Sequence, residues 1–249
     1  MFRLNYVTDS EFLFTPKQGR GKAERRIMQD HFPNNDTHFY SSLRKLDFSG
    51  FLQVIFTDKS DANNIYTESN LQAVLSVDSD IRGFNDNEYG VVCAKFYGSC
   101  EAIPIINLLR AQPSLARPII QYPVITGYPG GLFIGSQLGG VQTGENGLIS
   151  SAVAIQVTYS VQYLGSDARE ATSDWFKLLT ERLQAIDVEN VSVAFQTTDS
   201  LDNELDDATL SIISLFSATY SAMCIFSVVS CMMLDWVSFS VNLCSDKQQ

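Results

Sequence analysis

The run Phe51-Leu-Gln-Val-Ile-Phe56 is the stretch on which the fold of the first two hundred residues depends. Gly50 and Asp58 bound it, and its β-branched and aromatic content is typical of a buried strand. Residues 68–84 follow with a helical pattern, and residues 89–97 have the character of a second strand. The helical stripe consists of Leu71, Val74, Leu75, Asp78 and Ile81.

A second set of elements follows an irregular stretch at residues 98–150, which is rich in proline and glycine but keeps many apolar residues. That composition is typical of a packed insertion rather than a linker. Beyond it, residues 151–163 have strand character, residues 171–186 form a predicted helix, and residues 191–195 a short strand. The order predicts an α+β fold of the ferredoxin-like type, with the strands near residues 51, 89, 153 and 191 in one sheet.

The N-terminal part is predicted to contain an extended segment at residues 6–14, a turn at residues 19–22 and a helix over residues 22–31. Gly19-Arg-Gly-Lys22 also invites a phosphate-binding interpretation, but Ala23 stands where a P-loop needs Ser or Thr. A turn and a helix start are therefore favoured. No cleavable secretory signal is visible at the start of the sequence.

The C-terminal part contains no charged residue from Ala208 to Leu234, which is long enough to cross about 30 Å of hydrocarbon. A buried core helix is the alternative interpretation. An acidic run precedes the apolar stretch, and Asp235-Trp236 follows it, which favours the membrane. The predicted domains are an extracytoplasmic domain at residues 1–207, a transmembrane helix at residues 208–236 and a cytoplasmic tail at residues 237–249.

Composition excludes several classes of function. The formal net charge is -11, without a basic stripe, so nucleic acid is not an expected partner. His31 and His38 lie in a polar stretch without other metal ligands at suitable spacing, and we expect them to be surface residues. Without a Ser-His-Asp or Cys-His set, the sequence predicts no enzyme, no cofactor and no metal site.

Topology is indicated by three weak signals. Asn35-Asp-Thr and Asn190-Val-Ser are glycosylation acceptors if the domain is lumenal. Cys93 and Cys100 are the two cysteines outside the apolar stretch and the tail, and a turn between them would bring them within disulfide distance. Reduced thiols are expected instead if the domain is cytosolic. Basic residues around the helix are sparse, and their distribution points the tail to the cytoplasmic side of the membrane. From the three signals together we predict a lumenal or extracellular domain with a Cys93–Cys100 disulfide.

A series of short motifs also lies along the chain in a characteristic order. They are Tyr6-Val-Thr-Asp-Ser-Glu11, Gly19-Arg-Gly-Lys-Ala-Glu-Arg25, Tyr89-x-x-x-Cys-Ala-Lys95, Gly98-x-Cys100, Tyr122-Pro-Val-x-x-Gly127, Phe133-Ile-Gly-x-x-Leu-Gly-Gly-Val141, Ser151-Ala-x-Ala-Ile-Gln156, Trp175-Phe176 and Asp235-Trp-Val237. In order and spacing they resemble Patched-related proteins over nearly the whole chain. Val153 is a departure, because a lysine is expected at that position of the strand motif.

The resemblance implies a porter-type ferredoxin-like domain and a following helix that begins a sterol-sensing region, within a larger permease of the resistance-nodulation-division superfamily. It further implies that the chain is a fragment of a multi-pass protein of the plasma membrane or an endomembrane, associated with sterol or lipid transport or sensing. Its partners would be a membrane lipid or sterol and the remaining helices of the full-length protein. The alternative is an ectodomain binding module, or a short isoform that modulates the full-length protein without transport.

Overall fold

The computed structural model describes residues 16, 19–46, 49–127, 131–144 and 146–245, with the backbone alone at 85–88, 201–202, 214 and 231–245. The extended segment predicted at residues 6–14 lies outside the described residues. The chain divides into two compact units, one ending at Thr198 and the other beginning at Asp199.

The first unit contains both helices and strands, and the second unit is helical. The helices are α1 (Arg20–His31), α2 (Glu68–Val92), α3 (Pro104–Ala111), α4 (Ser166–Ala185) and α5 (Ser200–Ser245), with a short 3-10 helix at Ser42–Arg44. The strands are β1 (Phe51–Asp58), β2 (Lys95–Phe96), β3 (Ser99–Cys100), β4 (Val124–Ile125), β5 (Leu132–Phe133), β6 (Leu138–Gly139), β7 (Gln142–Thr143), β8 (Ile149–Ser151), β9 (Ala154–Ser160) and β10 (Val191–Thr197). The first unit is therefore a mixed α+β domain.

The main sheet has four strands in the order β10-β1-β9-β6, and every neighbouring pair is antiparallel. Strand β1 is central, since Val54 pairs with Phe195 on one side and with Val157 on the other. The remaining strands form short hairpins: β2 with β3, β4 with β5, and β7 with β8. The strands predicted near residues 51, 153 and 191 are confirmed as members of one sheet.

One face of the sheet is buried because strand side chains alternate between its two faces. Leu52, Val54 and Phe56 are fully buried, whereas Ile55 between them is 36% exposed. Helices α2 and α4 pack against each other, and both contact β10. Their buried side chains join those of the strands in one hydrophobic core.

Helix α2 is longer than predicted, and the predicted strand at residues 89–97 is wrong. Tyr89 and Val92 are buried while Val91 is 69% exposed. Burial at positions three apart continues the helical stripe, whereas a strand would bury alternate residues. Within the predicted range, only Lys95–Phe96 is a strand, and it pairs with Ser99–Cys100 outside the main sheet.

The fourth strand of the sheet is instead Leu138–Gly139, which lies inside the predicted insertion at residues 98–150. Other described parts of that stretch also enter the core, including Ile105 and Ile106 of α3. Close approaches of glycine backbone occur here as well. Gly140 has a φ of +62°, and a Cβ atom on it would lie 2.5 Å from the Val153 side chain.

Helix α5 carries the apolar C-terminal stretch. Its Asn203–Ser230 portion has 28 residues and contains an 18-residue window with a mean hydropathy of 1.9, none of which is buried. Phe216 and Phe226 are 70% and 74% exposed. By length and composition this portion is a candidate membrane span. For the rest of the predicted span, residues 231–236, only the backbone is described.

Candidate functional site

A cavity of about 280 Å³ lies between the loop that follows α1 and the chain segment that leaves β9. Its volume is at the lower end of the range for small-molecule sites. Apolar and aromatic side chains form most of its wall, and two basic residues also line it. The apolar and aromatic members are Phe32, Pro33, Tyr40, Leu46, Val161, Tyr163 and Leu164, and the basic ones are Arg44 and Lys45.

Buried polar contacts hold the two walls of the cavity together. The Asp36 carboxylate is 4% exposed and accepts hydrogen bonds from the backbone N–H groups of Tyr163, at 2.6 Å, and Leu164, at 2.7 Å. The Asn34 side chain closes its own loop, because it both donates to the Ser41 carbonyl and accepts from the Ser41 N–H. The cavity is therefore pre-formed by the fold.

The two basic lining residues indicate which ligands the cavity suits. Lys45 donates from Nζ to the Gly50 carbonyl at 3.3 Å, and this ammonium lies 5.7 Å from the Tyr40 ring centroid. Arg44 is exposed at the end of the 3-10 helix. Two cations beside an apolar wall favour an amphipathic molecule with an anionic or strongly polar head.

A second polar centre is buried in the core around Asp78 of α2, which has no exposed surface. Its Oδ1 accepts from the Tyr159 hydroxyl at 2.8 Å and from Arg82 Nε at 2.9 Å. Its Oδ2 accepts from Arg110 Nη2 at 2.5 Å. Because Arg110 belongs to α3 and Tyr159 to β9, one carboxylate links three elements.

Burial and charge shift the pKa values of the groups around Asp78. Burial raises the pKa of Tyr159 well above its usual value, and the adjacent Asp78 charge raises it further. Burial alone would lower the pKa of Arg82, but the Asp78 carboxylate raises it. The tyrosine thus stays neutral and the arginine charged. A carboxylate with two guanidinium partners and a hydroxyl is a structural link without a free base or nucleophile.

Aromatic rings surround this ion cluster. Tyr89 lies 5.6 Å from Tyr159 and 5.8 Å from Trp175, between ring centroids. Three buried donor atoms there have no hydrogen-bond partner among the described residues: Arg82 Nη2, Tyr89 Oη and Trp175 Nε1. The Arg82 guanidinium lies 5.7 Å from the centroid of the Tyr89 ring and 5.8 Å from that of Tyr159, so ring faces take the place of some hydrogen bonds.

The predicted disulfide is confirmed. Cys93 and Cys100 are bonded, with their Cα atoms 5.5 Å apart. Cys93 follows the last residue of α2, and Cys100 ends β3, so the bond closes the small β2–β3 hairpin onto the end of the long helix. An oxidised pair is typical of a lumenal or extracellular domain.

The two glycosylation acceptors lie apart on the surface. Asn35 is exposed in the loop beside the cavity, and Asn190 is exposed just before β10, where its carbonyl accepts from the Lys59 N–H. Their modification remains a prediction. His31 and His38 are exposed, as expected, and the described residues contain no group of three or more metal-ligating side chains.

Neither the cavity nor the Asp78 cluster was predicted from the sequence. A carboxylate on the apolar stripe of a helix was a signal for the cluster, because a buried charge needs partners. No sequence signal marked the cavity, since its walls come from residues more than a hundred positions apart. Models of known protein families, compared with this chain, give no match.

Proposed function

We propose that this chain is the first extracytoplasmic domain and the following transmembrane helix of a Patched-related membrane protein, with a part in binding or moving a sterol or another lipid. The observation that carries the proposal is the arrangement of the first unit. Its antiparallel sheet runs β10-β1-β9-β6 with α2 and α4 packed together, and an exposed apolar helix comes next in the chain.

The strand order supports a ferredoxin-like domain of the porter type. Helix α2 lies between β1 and β6 in the chain, and α4 lies between β9 and β10. If β1, β6, β9 and β10 are the four strands of that fold, their spatial order is fourth, first, third, second, with every neighbour antiparallel. Strand β6 has two residues, so the second strand is reduced to an edge fragment.

The cavity supports a role in lipid binding. Its apolar wall suits an acyl chain or a ring system, and Arg44 and Lys45 suit a polar head. Lipids combine these two kinds of surface in one molecule. An apolar helix in the same chain would keep the domain close to a membrane, where such molecules are concentrated.

A photoactivatable lipid tests the proposal directly. The full chain is produced behind a cleavable signal sequence, purified in detergent and labelled with photoactivatable cholesterol or phosphatidylserine. We expect saturable labelling that Leu164→Asp abolishes, because the new carboxylate would place a charge in the apolar wall. Leu43→Asp is the matched control, since Leu43 is 96% exposed and does not line the cavity.

Equal labelling of both variants and the unaltered chain would contradict lipid binding in the cavity. Labelling that requires Leu164, in a chain that moves no lipid between vesicles, would favour the binding-module alternative over transport. The observation that favours this alternative is that the first unit is compact and has its own core and disulfide.

A further inference from the structure

An exposed aromatic cluster lies beside the disulfide, outside the cavity wall. It consists of Phe39, Phe96 and Tyr97, which are 42%, 48% and 63% exposed. The Tyr97 ring centroid is 4.5 Å from that of Phe39 and 4.7 Å from that of Phe96. Three touching rings in contact with solvent form an apolar patch of the kind that marks an interaction site.

The backbone holds the cluster in place. Phe96 and Tyr97 are in the β2–β3 hairpin, which the Cys93–Cys100 disulfide closes. Tyr97 has a φ of +50°, a left-handed conformation that is unfavourable for a bulky residue, and Gly98 follows with +83°. Strain of this kind persists where the surrounding structure imposes it. The rings are thus presented outward on a rigid turn.

Backbone pairing aligns the Asn35 glycosylation acceptor with this cluster. Asn35 pairs with Phe39 in an antiparallel bridge, and Phe39 pairs in turn with Phe96. Directly opposed residues of antiparallel segments have their side chains on the same face, about 5 Å apart at Cβ. Asn35, Phe39 and Phe96 therefore form a row on one surface.

The Asn35 side chain is oriented by its own acceptor motif. Its Oδ1 accepts from the Thr37 N–H at 2.9 Å and from the Thr37 hydroxyl at 2.7 Å. No hydrogen bond of its Nδ2 occurs within the described part of the chain. The side chain is exposed, so the nitrogen that a sugar would join is accessible at one end of the aromatic row.

We propose that Asn35 carries an N-linked glycan whose first N-acetylglucosamine packs on the aromatic cluster of Phe39, Phe96 and Tyr97. In the transfer, Asn35 Nδ2 forms a bond to C1 of the sugar of a polyprenyl-diphosphate oligosaccharide. The bond from C1 to the diphosphate oxygen breaks, the amide loses one proton, and the polyprenyl diphosphate leaves. The inference rests on the lumenal location within the proposed function.

The chemistry of the sugar suits this surface. One face of a β-linked N-acetylglucosamine presents C–H bonds without hydroxyl groups between them. The face of an aromatic ring has a negative electrostatic potential, which attracts the slightly positive hydrogens of such bonds. Packing the two faces together removes apolar ring surface from water. The glycan would cover a patch that otherwise remains exposed, and the ordered rings would lose little conformational entropy when they bind it.

Glycan occupancy is measured first, with the full chain expressed behind a signal sequence in mammalian cells. The variants are Asn35→Gln, Thr37→Ala and Asn190→Gln, compared by gel mobility before and after glycosidase treatment. We expect Asn35→Gln and Thr37→Ala each to lose one glycan. An unmodified Asn35 in a chain glycosylated at Asn190 would overturn the inference but leave the lumenal location intact. A chain without glycans and with free Cys93 and Cys100 thiols would overturn both.

Packing is measured next, by thermal unfolding of the chain in detergent after its glycans are trimmed to single sugars. Removal of the sugar by Asn35→Gln is expected to lower the midpoint by about 2 to 4 °C, as a loss near 1 kcal/mol does in a chain of this size. The same change in a Phe96→Ala background should lower it by less than half as much. Asn190→Gln is the matched control, and its effect should not depend on Phe96. An equal effect of Asn35→Gln in both backgrounds would overturn the packing.

Discussion

The α+β domain and helix α5 are both rich in apolar side chains, but they place them oppositely. In the domain, Phe56 has no exposed surface and Trp175 only 2%. On α5, Phe216 and Phe226 keep more than two thirds of their surface exposed. Exposed apolar surface is unfavourable in water, which is why α5 is a candidate membrane span and the domain is not. The domain makes its own apolar interior, and helix α5 is long and apolar enough for a bilayer to supply one.

The domain and helix α5 also differ in how their polar groups find hydrogen-bond partners. The domain buries a charge and satisfies it with partners from other elements, as at Asp78. Helix α5 satisfies its hydroxyl groups locally. Thr219 donates to the Leu215 carbonyl at 3.1 Å, and Ser227 donates to the Met223 carbonyl at 2.9 Å. Hydroxyls bonded within their own helix are compatible with hydrocarbon, where no water can replace a missing partner.

The largest effect on the domain is expected from Asp78→Ala. The change leaves Arg82 and Arg110 without their shared carboxylate and should lower the free energy of unfolding by about 3 to 5 kcal/mol. A value near the lower end is expected because the Arg110 side chain is 44% exposed and can be solvated again. Urea unfolding followed by near-UV circular dichroism measures this. Asp80→Ala, at an exposed site on the same helix, is the control, and equal losses would contradict the role of the cluster.

The second prediction tests whether helix α5 lies in a bilayer. Phe216→Arg places a charge near the middle of the Asn203–Ser230 portion and should reduce membrane integration by about 2.5 to 3.5 kcal/mol. Alkaline extraction of membranes from expressing cells measures the loss as a shift of protein to the supernatant. Leu43→Arg makes the same kind of change at an exposed position of the domain and should leave the pellet fraction unaltered. A Phe216→Arg chain that stays in the pellet would contradict the bilayer assignment.

A smaller effect is expected from removal of the disulfide. Replacing both Cys93 and Cys100 by alanine frees a loop with a sequence separation of 7, which should cost about 2 to 3 kcal/mol through the entropy of the unfolded chain. Thermal unfolding of the double variant measures this. The same measurement on the unaltered chain after reduction should agree with it. Unchanged stability in both would show that the β2–β3 hairpin is held by its other contacts.

The smallest expected effect is a pH dependence at the end of β1. Hydrogen bonds from the Ser60 hydroxyl, the Ser60 N–H and the Asn64 N–H lower the pKa of Asp58 below its usual value of 3.8. A carboxyl group whose pKa is lower in the folded state contributes stability above the unfolded pKa and loses it as the pH falls through the folded pKa. Urea unfolding between about pH 6 and pH 3 should therefore decline less in Asp58→Asn than in the unaltered chain. Parallel curves would contradict this contribution.

The sequence by itself determined those features whose physics is local. The strand at residues 51–56, the helices near residues 68 and 171, and the apolar helix all follow from periodicity, which reports the face of an element that is buried. The short spacing of Cys93 and Cys100 allowed their pairing to be predicted for a lumenal domain, because a turn between them brings the two thiols within disulfide distance.

The tertiary structure alone decided the features that depend on which distant segments meet. Residues 89–92 are apolar enough for a strand, and their contact with Trp175 and Tyr159 keeps them in α2. Leu138–Gly139 is too short to be identified as a strand until Ile155 and Ala154 provide its hydrogen-bonded partners. Asp78 becomes a link only because Arg110 and Tyr159 are brought to it. Burial of a charge and pairing at a sheet edge depend on three-dimensional neighbours, and periodicity along a chain contains no information about them.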